Sequence, residues 1–300
     1  MAMWAARRTA LPGGRWHLQH GPIDIVIAAE GEPATLALAH AAAWACFQPL
    51  LEALVAELPL LRQPVVAGNN PLQGAVARRM WAACAPLRDA ARGFITPMAA
   101  VAGAVAQELM VHYQRPGIAR AWVNNGGDIA LHLARGQSAR VGLYADLSRF
   151  DAEALACTAA GTLRTDAGFA VRHADPVRGV ATSGWRGRSH SLGMADSVTV
   201  LAATAAQADA AATVIANAVN LDDPRIRRAP ASSQRDDSDL GDRLVTVAVP
   251  PLPSALVQQA LQAGLDMARS LQTQGHIHAA LLVCQGSLAR LAPAGALELV

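Results

Sequence analysis

Ala119-Arg120-Ala121-Trp122-Val123-Asn124-Asn125-Gly126-Gly127-Asp128-Ile129-Ala130-Leu131-His132 decides the fold class. Two short β-prone runs, 119–123 and 129–132, flank an Asn-Asn-Gly-Gly-Asp turn, the composition of a tight β-hairpin. Working outward, strands are expected at 23–27, 140–144, 168–173, 178–182, 196–202, 245–249 and 277–284. Helices are expected at 34–59, split at Pro49, and at 74–83. A helix over 96–113 would start with Thr96 as N-cap and Pro97 in its first turn. Further helices are read at 205–218 and, capped by Ser254, at 254–272. Hairpins beside long helices indicate α+β, a single domain of antiparallel sheets and long packed helices, rather than a doubly wound sheet. Residues 221–242, rich in Asp, Arg, Pro and Ser, read as an exposed, mobile insertion.

Composition narrows the chemistry. The hydrophobic fraction of 52% is inflated by alanine and aromatics are only 4%, so a closely packed Ala/Val/Leu core is expected. A net charge of +2 implies neither a nucleic-acid nor a membrane partner. All 25 residues counted as Lys or Arg are Arg. A P-loop lysine, a Schiff-base lysine and a lysine general base are thereby excluded. Cys46, Cys84, Cys157 and Cys284 show no pairing pattern, so reduced buried thiols are expected. The apolar stretch 34–61 is broken by His40, Gln48, Pro49, Glu52 and Glu57 and reads as core helix, not a membrane span. The start lacks the order of a signal peptide, and a cytoplasmic location is expected.

Several segments carry candidate chemistry. In Ala208-Asp209-Ala210-Ala211-Ala212-Thr213 a helix puts Asp209 and Thr213 one turn apart on one face. A carboxylate and a hydroxyl suit a hard cation such as Mg²⁺ that also holds phosphate oxygens. The ordinary reading is a buried helix with polar residues. Gly126 and Gly127 leave backbone N–H groups open to a phosphate or a flavin edge, or simply make a type I′ turn. The small-residue run 96–103 offers a helix N-terminus to an anion, or plain helix–helix contact. Thr182-Ser183-Gly184 can bind phosphate or a ring carbonyl, or form a surface loop. Arg186, Arg188 and His190 follow it, and His190 is the best acid/base candidate.

In this order the segments resemble the ApbE superfamily, flavin transferases that use FAD to attach FMN to proteins. The likeness runs through Pro97 to Gly103, Gly126-Gly127-Asp128, Thr182-Ser183-Gly184, His190, Val198 to Val200 and Asp209 to Thr213. The run Thr96 to Gly103 is closer to a cytoplasmic branch of that superfamily. The resemblance implies an ApbE-like, T-fold-related domain. It implies Mg²⁺ held by Asp209, Thr213 and a main-chain carbonyl of Val101 or Ala102. It implies FAD or FMN near Met98, Gly126, Gly127, Asp128, Thr182, Ser183 and Gly184, with His190 or Asp128 as acid/base. The chain departs from the transferases in carrying Ala102 where they have lysine, and in lacking their His-x-x-Asp-Pro-x-x-Gly loop. The implied functions are a Mg²⁺-dependent flavin or nucleotidyl transferase or hydrolase, or else a non-catalytic flavin or pterin binder. A role in tetrahydromethanopterin biosynthesis is implied by the branch alone. The expected ligand is a small nucleotide or pterin, and the Ala-rich surfaces allow a homodimer.

Overall fold

The computed structural model describes residues 5–143, 167–187, 189–235 and 238–292. Tyr144, Cys157, Arg188, Asp236 and Asp237 lie outside them. The strands are β1 (Arg7–Leu11), β2 (Arg15–His20), β3 (Ile23–Gly31), β4 (Ile118–Asn125), β5 (Asp128–Leu133), β6 (Ser138–Leu143) and β7 (Ala167–Arg172). They continue with β8 (Gly179–Ser183), β9 (Ser197–Ala202), β10 (Arg227–Pro230), β11 (Leu244–Ala248), β12 (Ala279–Cys284) and β13 (Ser287–Leu291). The helices are α1 (Pro33–Phe47), α2 (Leu50–Ala56), α3 (Leu58–Leu61), α4 (Ala75–Cys84), α5 (Val101–Met110), α6 (Ala205–Ala218), α7 (Ala231–Gln234) and α8 (Ser254–Thr273). The mixture of helices with antiparallel sheet is the expected α+β class. Packing divides the residues into two compact units.

The first unit comprises Met1–Ser138, Arg172–Ala181 and Leu201–Ala211. Its sheet is an antiparallel meander in the order β1-β2-β3-β4-β5, with β8 beside β5 through Ile129↔Val180 and Ala130↔Gly179. β1 stands at the border, and the Arg8 guanidinium lies 3.6 Å from the Trp16 ring of β2. The β4–β5 hairpin turns at Gly126 and Gly127, both with positive φ (65° and 112°), between paired Asn125 and Asp128. Asn124 Oδ1 accepts the Gly127 N–H at 2.8 Å and fixes that turn. α5 lies on β4 and β5 and buries Ala104, Val105, Ala106, Leu109 and Met110. This apolar face removes a helix's worth of side chains from water, roughly 0.8 kcal/mol per CH₂.

Two expectations in this unit need correction. Thr96 occupies the N-cap position of a 3₁₀ turn, Pro97–Ala100, but its side chain makes no capping bond. The α-helix proper begins at Val101, after Ala100, which has no polar side chain to offer. The apolar stretch at 34–61 is helical and breaks at Pro49, yet α1 buries only Ala39, Ala43 and Phe47. Leu38 is 66% exposed, because the helix is apolar all round and only one stripe can face the sheet.

The second unit comprises Ala139–Val171, Thr182–Val200 and Ala212–Val300. Here β9, β12 and β13 are sheet neighbours, and β6 pairs with β7. α8 covers β12 and β13. It comes so close that a Cβ on Gly264 would meet Val219 and Leu282. Ser254 is the first residue of α8 and Pro253 stands at the cap without a side-chain bond, so the expected serine cap is not formed. Within 221–242, read as an exposed insertion, β10 pairs with β11 and α7 follows. Arg228 ties this segment down by donating to Asn220 Oδ1 and Leu221 O. Among the described residues Cys46, Cys84 and Cys284 form no disulfide; Cys84 and Cys284 are buried and Cys46 is half-buried.

Gly179 of β8 crosses the chain leading into α6 at backbone contact, and a Cβ there would run into Thr204 and Ala205 main-chain atoms. Neither side can yield by a rotamer change. Gly179→Ala should therefore cost about 1–3 kcal/mol, the usual penalty of forced overpacking. A urea midpoint equal to that of the parent protein would contradict this close crossing.

Candidate functional site

In the first unit the expected residues meet at the start of α5. The opening N–H groups of a helix have no partner inside it. Here one acceptor arrives from α6: Gly103 N–H donates to Asp209 Oδ2 at 2.9 Å across 106 residues of sequence. Ala102 N–H also stabilises the same carboxylate. Asp209 thus performs from a distance the cap that Ala100 cannot, and its charge faces the positive end of the helix dipole. Gly103 permits this approach, since a Cβ would strike Ala205 O and come within 2.9 Å of Asp209 Cβ. Gln107 reinforces the contact by accepting the Ala206 N–H at 3.3 Å.

The Asp209 carboxyl is enclosed by protein, although part of the side chain stays exposed. Burial pushes its pKa up to about 7, and the Gly103 and Ala102 N–H groups only partly oppose that. Asn125, 4% exposed at the end of β4, donates Nδ2 to Ala102 O at 3.1 Å. It brings the turn of Gly126, Gly127 and buried Asp128 beside the first turn of α5. A Cβ on Gly127 would find open space, so that backbone is accessible. Met98 sits half-buried in the preceding 3₁₀ turn. Among the described residues no three His, Cys, Asp or Glu side chains cluster as metal ligands. The oxygen donors here are one carboxylate and the carbonyl of Ala102, a set that fits only a hard cation.

The other expected residues fall in the second unit. Thr213 is half-buried on α6, and Asn217 follows after another four residues. Asn217 Oδ1 accepts the Ser191 hydroxyl (3.1 Å) and Leu192 N–H (2.9 Å). With Asn220 Nδ2 on Leu192 O and Thr246 N–H on Ser191 O, it pins the loop after His190. Thr182 Oγ1 bonds Thr199 Oγ1 at 2.9 Å. Gly184 lies against Asp196 O, and Trp185 N–H donates to Ala195 O at 3.0 Å. The Asp196 carboxylate accepts the Gln285 N–H and pairs with Arg186 at 3.3 Å. Ser183 is half-buried beside them.

His190 is half-buried, and burial first, then the charge of Arg235, lowers its pKa against the pull of Asp239. Both effects favour the neutral imidazole. Its Nε2, Trp185 Nε1 and Thr246 Oγ1 are buried without a hydrogen-bond partner among the described residues. Such atoms are costly unless a ligand or water bonds them. Asp128 and His190, the two expected acid/base groups, belong to different units.

Three residues of structural consequence escaped the sequence reading: Asn125, Asp196 and Asn217. Asn217 extends the Asp209, Thr213 spacing by one more turn through an otherwise alanine-rich helix, and that regularity was a usable signal. Asn125 and Asp196 carried none beyond their polarity, since their partners are distant in sequence.

The raised Asp209 pKa has a signed consequence. The folded protein favours the protonated carboxyl, so that stability is complete below pH 4 and declines as pH rises towards about 7. The metal-free protein should lose melting temperature over that window relative to Asp209→Asn. Parallel pH profiles for the two would contradict the enclosed carboxyl.

The family described as AbpE bacteria matches residues 7–291, from the first residue of β1 to the last of β13. A UPF0280 protein of Methanothermobacter thermautotrophicus is 38% identical over 159 residues, 53% of this chain and 52% of that protein. One from Methanopyrus kandleri is 39% identical over 144 residues, 48% of this chain and 51% of that protein. The chain spans about half the length of these curated relatives. The solved ApbE protein of Thermotoga maritima shares the fold, with a TM-score of 0.51, 11% identity and 97% of each chain covered. With the match enclosing every described strand and helix, the chain belongs to the AbpE bacteria family.

Proposed function

We propose that this protein binds a flavin nucleotide, FAD or FMN, together with Mg²⁺, as a transferase or hydrolase of the flavin-transferase type. The observation that carries the reading is the enclosed Asp209 carboxyl at the head of α5, next to the Ala102 carbonyl. Thr213 follows one turn further along the same helix, and the resemblance makes it the third oxygen donor. Family membership and the resemblance of 126–128 and 182–184 to nucleotide-binding segments support the flavin.

Mg²⁺, when bound, would neutralise a diphosphate and stabilise charge on the leaving group. The rest belongs to the chain itself. Asn125 orients the Ala102 carbonyl, and the Gly103 N–H orients Asp209. Gly127 leaves its backbone open to a phosphate or ring edge. Asp196 holds Arg186 and the Gln285 N–H, Asn217 holds Ser191 and Leu192, and the imidazole of His190 would be the group to take a proton.

A second reading, storage of a flavin or pterin without turnover, is favoured by Ala102 standing where the transferases carry lysine. Calorimetry with FAD should show binding that strengthens with Mg²⁺ and falls at least tenfold in Asp209→Ala. Because Asp209 also caps α5, Asp209→Asn and a circular-dichroism melt serve as the folding control. Equal FAD affinity in the folded variants would overturn the site. Release of FMN and AMP from FAD with Mg²⁺ separates the enzyme from the binder.

A further inference from the structure

Ala121, Val123 and Asn125 alternate along β4 and are all buried, so they form one inward row of the strand against which α5 packs. Two of the three are apolar. An amide at the third position loses its hydration and must be bonded in return. β4 pairs with β3 through Ile25↔Asn125 and with β5 through Asn125↔Asp128, so the Asn125 backbone is held from both sides. From that fixed base the side chain crosses to α5, where Nδ2 donates to Ala102 O at 3.1 Å.

That oxygen belongs to the amide group that Ala102 shares with Gly103. The other end of the same group, the Gly103 N–H, donates to Asp209 Oδ2 at 2.9 Å. A peptide unit is planar, with its C=O and N–H fixed relative to each other. Turning the carbonyl therefore turns the N–H with it, and Asn125 and Asp209 hold one rigid plate by its two ends. Donation to the oxygen also draws electron density from the nitrogen and makes the N–H a stronger donor. Bonds in such a chain reinforce one another in a low-dielectric interior. The carboxylate's second contact, the Ala102 N–H, lies on the preceding peptide, whereas the Asn125 bond ends on the following one. Gly103 itself has no side chain by which another element could set this orientation, and a Cβ there would meet Ala205 O.

We propose that Asn125 is a positioning residue for Asp209, acting through the Ala102–Gly103 peptide. The amide at the end of β4 thereby ties the Gly126–Gly127 turn to the carboxylate at the head of α5. Its functional meaning rests on the reading of Asp209 as a cation ligand, and it makes no use of the Ala102 oxygen as one. A carboxylate already held at one angle loses less freedom on taking up a cation than one that must first be turned.

The test uses the ¹⁵N-labelled full chain and two variants. Asn125→Leu has similar bulk and no donor, and Asn125→Asp keeps the shape but sets an acceptor against the carbonyl. In metal-free protein the Gly103 amide proton should move upfield in both variants, and the Ala102 amide proton should move less. Mg²⁺ affinity by calorimetry should fall about fivefold in Asn125→Leu, the share of one hydrogen bond. An unmoved Gly103 proton in a variant that circular dichroism shows to be folded overturns the proposal, and so does Mg²⁺ affinity equal to that of the parent. If the parent takes up no Mg²⁺, the cation reading falls and the Gly103 shift alone decides the positioning role. Should both variants misfold, Asp209→Asn runs the chain in reverse: the Asn125 side-chain amide protons should then move upfield, and unmoved protons overturn the proposal.

Discussion

A carboxylate at the end of a helix dipole governs this architecture. α5 begins at a residue with no capping side chain, after a 3₁₀ turn. The missing acceptor is Asp209, supplied from α6. Its burial is costly, as its raised pKa shows, and N–H groups of Ala102 and Gly103 offset part of that cost. The same geometry leaves an oxygen-rich corner beside an open Gly-Gly turn. Structural cap and candidate metal ligand are thus one side chain. Fold and chemistry cannot be separated at this position by substitution alone, and so a folding control is indispensable.

Small residues make the rest of the arrangement possible. Gly103 against Ala205, Gly179 against Thr204, Gly184 against Asp196 and Gly193 against Ala216 are all contacts that a single methyl would close. Alanine does the same work along α6, where Ala208, Ala210, Ala211, Ala212 and Ala216 are fully buried. With few aromatics to fill space, the core gains its density by bringing backbones together. Loops at these contacts can be positioned by main-chain atoms rather than by long side chains.

Local signals in the sequence were faithful where the cause was local. The Asn-Asn-Gly-Gly-Asp turn required positive φ at two positions, and only the glycines could supply it. α6 spans the expected residues because an alanine-rich run between a strand and Asn220 has few alternatives. Thr96 and Ser254 misled, because a capping residue type is not a capping bond; the 3₁₀ turn and Pro253 displaced them. The β1–β2 hairpin was missed, since Arg7–His20 mixes charge and aromatics without clean alternation. The partnership of Asp209 with Gly103, and of Asn125 with Ala102, depends on tertiary placement and could not be read from spacing. The resemblance pointed to 97–103, 126–128 and 209–213 without revealing that contact.

The border strand β1 leaves one row of main-chain donors and acceptors unmatched by a neighbour among the described residues. Exposed rows of this kind recruit other chains into polymeric ladders. β1 is only five residues long and carries Arg7 and Arg8, the latter anchored over Trp16. A second copy docking edge to edge would crowd four guanidinium groups onto one short ribbon. Mutual repulsion between them would oppose such edge-to-edge pairing.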